Sequence, residues 1–163
     1  MPRLLVVHHT PTATVGRLAD AVVAGTADEA IEGVEVVVRA ALDARATDVL
    51  AADGYVFGTT ANFGYMSGAL KHFFDTIFLE AGGALADDGS AAGRPGGGKR
   101  PWGLWVHGRY DTTGAVRSVE SIVGALPWRQ AAPVLEVLGE PSDEQLAAAY
   151  ELGATLAALV AGP

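Results

Sequence analysis

The sequence predicts an α/β fold, a parallel β-sheet with helices on both faces. Short continuous apolar runs alternate, five times along the chain, with segments whose apolar residues recur at helical spacing; that alternation is the pattern of consecutive strand–crossover–strand units. The runs are short and several are rich in β-branched residues, as in strands buried on both faces. No internal repeat or second unit interrupts the 163 residues, half of them hydrophobic, so one domain over 1–163 is expected.

Each element has its own signal. RLLVVH (3–8) reads as the first strand. Val15, Leu18, Ala19, Val22 and Val23 follow the spacing of an amphipathic helix;. VEVVVR (34–39) is the second strand, and a short helix is expected near 46–52. GYVFGT (54–59) is the third strand, followed by a helix carrying Leu70, Phe73, Phe74, Ile77 and Phe78 on its core face;. WGLWVHG (102–108) is the fourth strand, and the odd spacing of Trp102 and Trp105 puts them on opposite faces;. Val116, Val119, Ile122, Val123 and Leu126 mark the fourth helix. Trp128, after Pro127, reads as loop, and PVLEVLG (133–139) as the fifth strand. Ser142 and Gln145 have capping-box spacing and open a last helix to about Val160;. The Gly- and Ala-rich stretch 80–100 reads as a spacer, with a lid or subunit contact as the alternative;.

Composition narrows the chemistry. There is no cysteine, so disulfides and thiolate catalysis are out;. The formal charge of −8 argues against nucleic acid;. MPRLLVVHHT is too short an apolar run for a signal peptide or a membrane span, and a cytoplasmic protein is expected;. His8 and His9 are adjacent at a strand end, where their side chains diverge, so no metal site is assigned;. No nucleophile elbow, catalytic triad, P-loop or GxGxxG turn is present, and no catalytic residue is assigned;.

Three loops follow strand ends, where open parallel sheets bind ligands. HHTPTATVG (8–16) alternates Thr10, Thr12 and Thr14 at a helix start, a way to hold an anion with hydroxyls and backbone N–H groups;. GTTANFGYMSG (58–68) combines glycines, Thr59, Thr60 and Asn62 with the rings of Phe63 and Tyr65. HGRYDTTGA (107–115) adds His107, Arg109, Tyr110 and Asp111. A phosphate cradle beside aromatic-bearing loops suits a flat, phosphorylated, conjugated ligand such as FMN.

These residues also carry a resemblance. GTTANFGYMSGALKHFFD (58–75) is similar to a motif of the flavodoxin-like superfamily, within it the NAD(P)H:quinone oxidoreductases of the tryptophan-repressor-binding-protein type and small NADPH-dependent FMN reductase relatives. HHTPTATVGRLADAV (8–22) resembles their phosphate loop, with Ala13 where the family carries Gly. The resemblance implies a three-layer flavodoxin-like sandwich with a five-stranded sheet in the order 2-1-3-4-5. It places the FMN phosphate at Thr10, Thr12, Ala13, Thr14 and Val15. The isoalloxazine would lie against Thr60, Ala61, Asn62, Phe63, Gly64 and Tyr65, with His107, Gly108, Arg109, Tyr110 and Asp111 as the third loop; the Thr59 hydroxyl adds a further candidate partner for the ring. It implies an FMN-dependent enzyme that takes electrons from NAD(P)H and reduces a quinone, and it allows a homo-oligomer; by residue type, His107 and Tyr110 are the candidates to donate a hydrogen bond to the quinone. The alternative is an electron carrier without nicotinamide activity, whose acidic surface docks on a redox protein partner;.

Overall fold

The computed structural model describes residues 1–88 and 99–163. Part of the 80–100 stretch, and with it the choice between spacer and lid, lies outside the described residues. The elements are β1 (Arg3–His8), α1 (Ala13–Thr26), β2 (Glu35–Ala40), α2 (Ala46–Leu50), β3 (Gly54–Asn62), β4 (Tyr65–Met66), α3 (Gly68–Ile77), β5 (Arg100–Gly108), α4 (Thr113–Val123), β6 (Trp128–Gln130), β7 (Leu135–Leu138) and α5 (Asp143–Ala161).

The main sheet is parallel in the order β2-β1-β3-β5, with β6 and β7 both pairing the far side of β5. This is the expected 2-1-3-4-5 order, its fifth strand in two pieces. The break has a local cause. Between the pairs Trp102↔Gln130 and Trp105↔Leu135, β5 advances three residues while the facing chain advances five. The surplus falls at 131–134, where Pro133 has no N–H to offer the ladder;. Trp128 is therefore a strand residue rather than a loop residue. It is buried with its ring 4.2 Å from that of Tyr55.

Two apolar layers sandwich the sheet. On one face Phe57, Phe73, Phe74, Leu104 and Val119 pack beneath α3 and α4. On the other, Val6, Leu18, Val22, Trp105 and Leu156 pack beneath α1 and α5. Trp102 and Trp105 fall in different layers, as their spacing requires;. The helices α1 and α5 approach closely enough that a Cβ on Gly153 would lie 2.0 Å from the Val22 carbonyl oxygen. The predicted capping box is present: Gln145 N–H donates to Ser142 Oγ at 3.1 Å, and Ser142 N–H to Gln145 Oε1 at 3.0 Å;. Among the described residues no helix is long and apolar enough to cross a membrane.

The stretch 58–68 is not the open loop its composition suggests. β3 continues through Asn62 and turns back as a hairpin, with Ala61↔Met66 and Asn62↔Tyr65 paired antiparallel. Phe63 and Gly64 form the two-residue turn, at φ 52° and 74°. A hairpin turn with both central residues at positive φ matches the right-handed strand twist. Gly takes that conformation freely; a bulky ring does not. The hairpin is fastened from below: Ser67 N–H donates to Thr59 Oγ1 at 2.9 Å and Met66 N–H to Ser118 Oγ at 3.2 Å. Ser67 in turn caps α3, its Oγ accepting from Leu70 N–H at 3.2 Å;.

Candidate functional site

Parallel topology brings the connection after β1, the end of β3, and the loops after β5 and β7 to one edge of the sheet;. They enclose a cavity of about 610 Å³, within the range of small-molecule sites.

Pro11, Thr12, Thr14 and Val15 form the first wall. Thr12 is the N-cap of α1, and its Oγ1 accepts from Val15 N–H at 3.4 Å;. The N–H groups of Ala13 and Thr14, in the first turn, have no intrahelical acceptor. They add to the positive end of the helix without any basic side chain. Val15 contributes backbone only, since its side chain is in the core. Thr10 and Ala13 do not line the cavity. Thr10 Oγ1 lies 2.5 Å from His8 Nδ1. Burial, then the neighbouring His9, pulls the His8 pKa below the usual histidine value;. Ala13 is the first helical residue, and its backbone is right-handed. The left-handed geometry a glycine would serve there is not used.

Thr60, Ala61 and Asn62 form the second wall. Thr60 Oγ1 is buried and has no hydrogen-bond partner within the protein. A buried hydroxyl with no internal partner costs stability unless something else meets it. Thr59 is not at the cavity. It is fully buried, and its hydroxyl donates to Thr60 O at 2.9 Å while accepting from Ser67. Phe63, Gly64 and Tyr65 stand on the hairpin beyond Asn62, with Phe63 wholly exposed.

His107, Gly108, Arg109 and Tyr110 form the third wall, and Tyr110 is 91% exposed. His107 Nε2 donates to Gly139 O at 2.7 Å, which commits that nitrogen to the next loop rather than to an acceptor in the cavity. Asp111 lies outside the lining. Its carboxylate accepts from Thr113 N–H at 2.9 Å, a bond that lowers its pKa. Thr112 ties this loop to β7 through Glu136 at 2.6 Å.

Gly139 and Glu140 form a fourth wall that reading the sequence did not single out. Nothing in their residue types marks them. The signal available was topological, because the loop after the fifth strand must return to the same edge.

No family model matches the chain. The chain is 31% identical over 177 aligned positions to a flavodoxin of Aquifex aeolicus (strain VF5), covering 99% of this chain and 88% of that one. Among solved structures it superposes on the Streptococcus pneumonia TIGR4 flavodoxin with a TM-score of 0.74 at 19% identity, covering 97% and 99% of the two chains. It superposes on a flavodoxin, WrbA-like protein from Agrobacterium tumefaciens with a TM-score of 0.70 at 19% identity, covering 98% of each chain. The two superpositions agree with the parallel order and three-layer packing described above, and the sequence relationship extends over nearly the whole length: the chain belongs to the flavodoxin family.

Proposed function

We propose that this protein is an FMN-dependent electron-transfer carrier built as one domain. FMN is its cofactor, and membership of the flavodoxin family favours the carrier. The observation that carries the reading is one cavity uniting a hydroxyl-bearing helix start, a buried unpartnered Thr60 hydroxyl and the loop that carries Tyr110. Bound FMN supplies the redox chemistry; the protein supplies binding, orientation and electrostatics.

The residues divide the work. Thr12 and Thr14, with the free N–H groups at the start of α1, hold the phosphate without adding a fixed positive charge. Thr60 Oγ1 and Asn62 supply polar partners to the ring system. Ala61 and Gly108 present little side-chain bulk, leaving room for a flat group. Tyr110 and Phe63 are exposed rings available to cover it. Arg109 is an exposed cation on the same wall, suited to charge that develops on reduction. The acidic surface steers the protein toward a basic redox partner;.

Titrating FMN into the purified protein tests the binding step. A saturable shift of the flavin absorption spectrum with quenched fluorescence is expected. Unchanged spectra across the titration would remove the cofactor from the account.

Phe63 supplies a sharper test. A bulky residue at positive φ is held at a cost of about 1–3 kcal/mol, and such strain clusters at ligand sites. Phe63→Gly is expected to raise the thermal midpoint of the apoprotein while weakening FMN about tenfold, a factor worth roughly 1.4 kcal/mol. FMN binding that is not weakened in this variant would show that the ring does not help to hold the flavin.

A second reading, NAD(P)H-dependent quinone reduction through the same cofactor, is favoured by the motif GTTANFGYMSG. The engagement of His107 Nε2 with Gly139 O removes one of its two candidate donors to a quinone.

A further inference from the structure

We propose that Glu140 sets how tightly the site holds the phosphate, by competing with it for the Thr14 hydroxyl and the Arg17 guanidinium. The inference rests on the placement of the FMN phosphate at the start of α1.

Thr14 Oγ1 donates to Glu140 Oε1 at 3.2 Å, and Arg17 NH1 lies 3.4 Å from Glu140 Oε2. Both partners sit on the first turns of α1, and Glu140 lines the same cavity as Thr12 and Thr14. The backbone puts the carboxylate there. Gly139 N–H donates to Gly108 O at 2.9 Å, and Gly139 O accepts from His107 at 2.7 Å. On the other side Pro141 is buried and restricts the residue before it;. Glu140 is thus presented between two fixed neighbours.

A hydroxyl has one hydrogen to donate. Thr14 therefore serves the carboxylate or a phosphate oxygen, not both at once. Arg17, the cation next to the cradle on α1, is likewise neutralised by Glu140 as seen from the phosphate. A phosphate carrying between one and two negative charges must displace a like-charged group to reach these donors. The consequence is specific: Glu140 weakens binding of the phosphorylated flavin and leaves the unphosphorylated one untouched. Its removal should sharpen discrimination between them.

Fluorescence titrations of FMN and riboflavin, at low and moderate salt, test this on the wild type, Glu140→Gln, Arg17→Ala and the double variant. Glu140→Gln is expected to tighten FMN about tenfold and leave riboflavin unchanged. Wild-type FMN affinity should rise with salt as the repulsion is screened, and this dependence should shrink in Glu140→Gln. Arg17→Ala alone should change little, yet in the Glu140→Gln background it should reverse most of the gain. If Glu140→Gln binds FMN no more tightly than the wild type does, the competition proposal is wrong. If the wild type binds riboflavin as tightly as FMN, the phosphate placement falls and this proposal with it. If FMN is preferred but Glu140→Gln is silent, the proposal alone falls.

Discussion

Thr12→Val combined with Thr14→Val should weaken FMN by about two to four orders of magnitude while leaving riboflavin affinity nearly unchanged. Each hydroxyl lost from a charged acceptor costs about 1.5–3 kcal/mol. Valine keeps the branched shape of threonine, so packing beside the core side chain of Val15 is preserved. Thr12 is also the N-cap of α1, bonded to Val15 N–H. Its loss therefore costs about 1 kcal/mol of fold stability. The effect on FMN should exceed the effect on stability, and that inequality separates a ligand site from a helix cap. Titration of both flavins, with urea unfolding of the apoprotein alongside, checks it. Equal losses for FMN and riboflavin would move the phosphate elsewhere.

Gly153→Ala should destabilise the fold more than any other change considered. The added Cβ would meet Val22 O at 2.0 Å and Val22 C at 2.9 Å. Those are backbone atoms of α1, so no rotamer relieves the overlap. The contact is reciprocal, since a Cβ on Gly25 would meet Tyr150 O at 1.9 Å. The two helices must move apart, opening the layer where Leu18, Val22 and Leu156 pack. Overpacking of this kind costs about 1–3 kcal/mol when side chains can adjust, and about 4 kcal/mol or more is expected where backbone must shift. The readout is the urea midpoint. A midpoint within error of the wild type would show that the α1–α5 seam is looser than described.

The parallel sheet was legible because its strands are written as continuous apolar runs and its helices as stripes. RLLVVH and GYVF carry no polar interruption, and Leu70, Phe73, Phe74 and Ile77 leave no choice of face. The hairpin was not legible. Thr59 and Thr60 are polar and no apolar run follows, so the sequence ends the strand at Thr59. In the fold Thr59 is fully buried with its hydroxyl satisfied by the chain itself, and β3 runs on to Asn62. Phe63–Gly64 also lacks the usual Asn or Asp that signals a tight hairpin turn. Trp128 was hidden by Pro127, because a strand broken by a bulge at Pro133 has no continuous apolar run to reveal it. At the site, the hydroxyls of Thr12 and Thr14 were legible as a pattern. Glu140 was not, since a single acid before a proline signals only a turn until topology brings it against α1.

The proposed carrier takes its electrons from a redox protein. Anaerobic stopped-flow reduction of the FMN-loaded protein tests this most directly, with NADH and NADPH compared against dithionite or a flavoprotein reductase. The account predicts no bleaching of the flavin by either nucleotide over many minutes, and ready reduction by dithionite or the reductase. Bleaching within seconds by either nucleotide would contradict it and establish the NAD(P)H oxidoreductase instead.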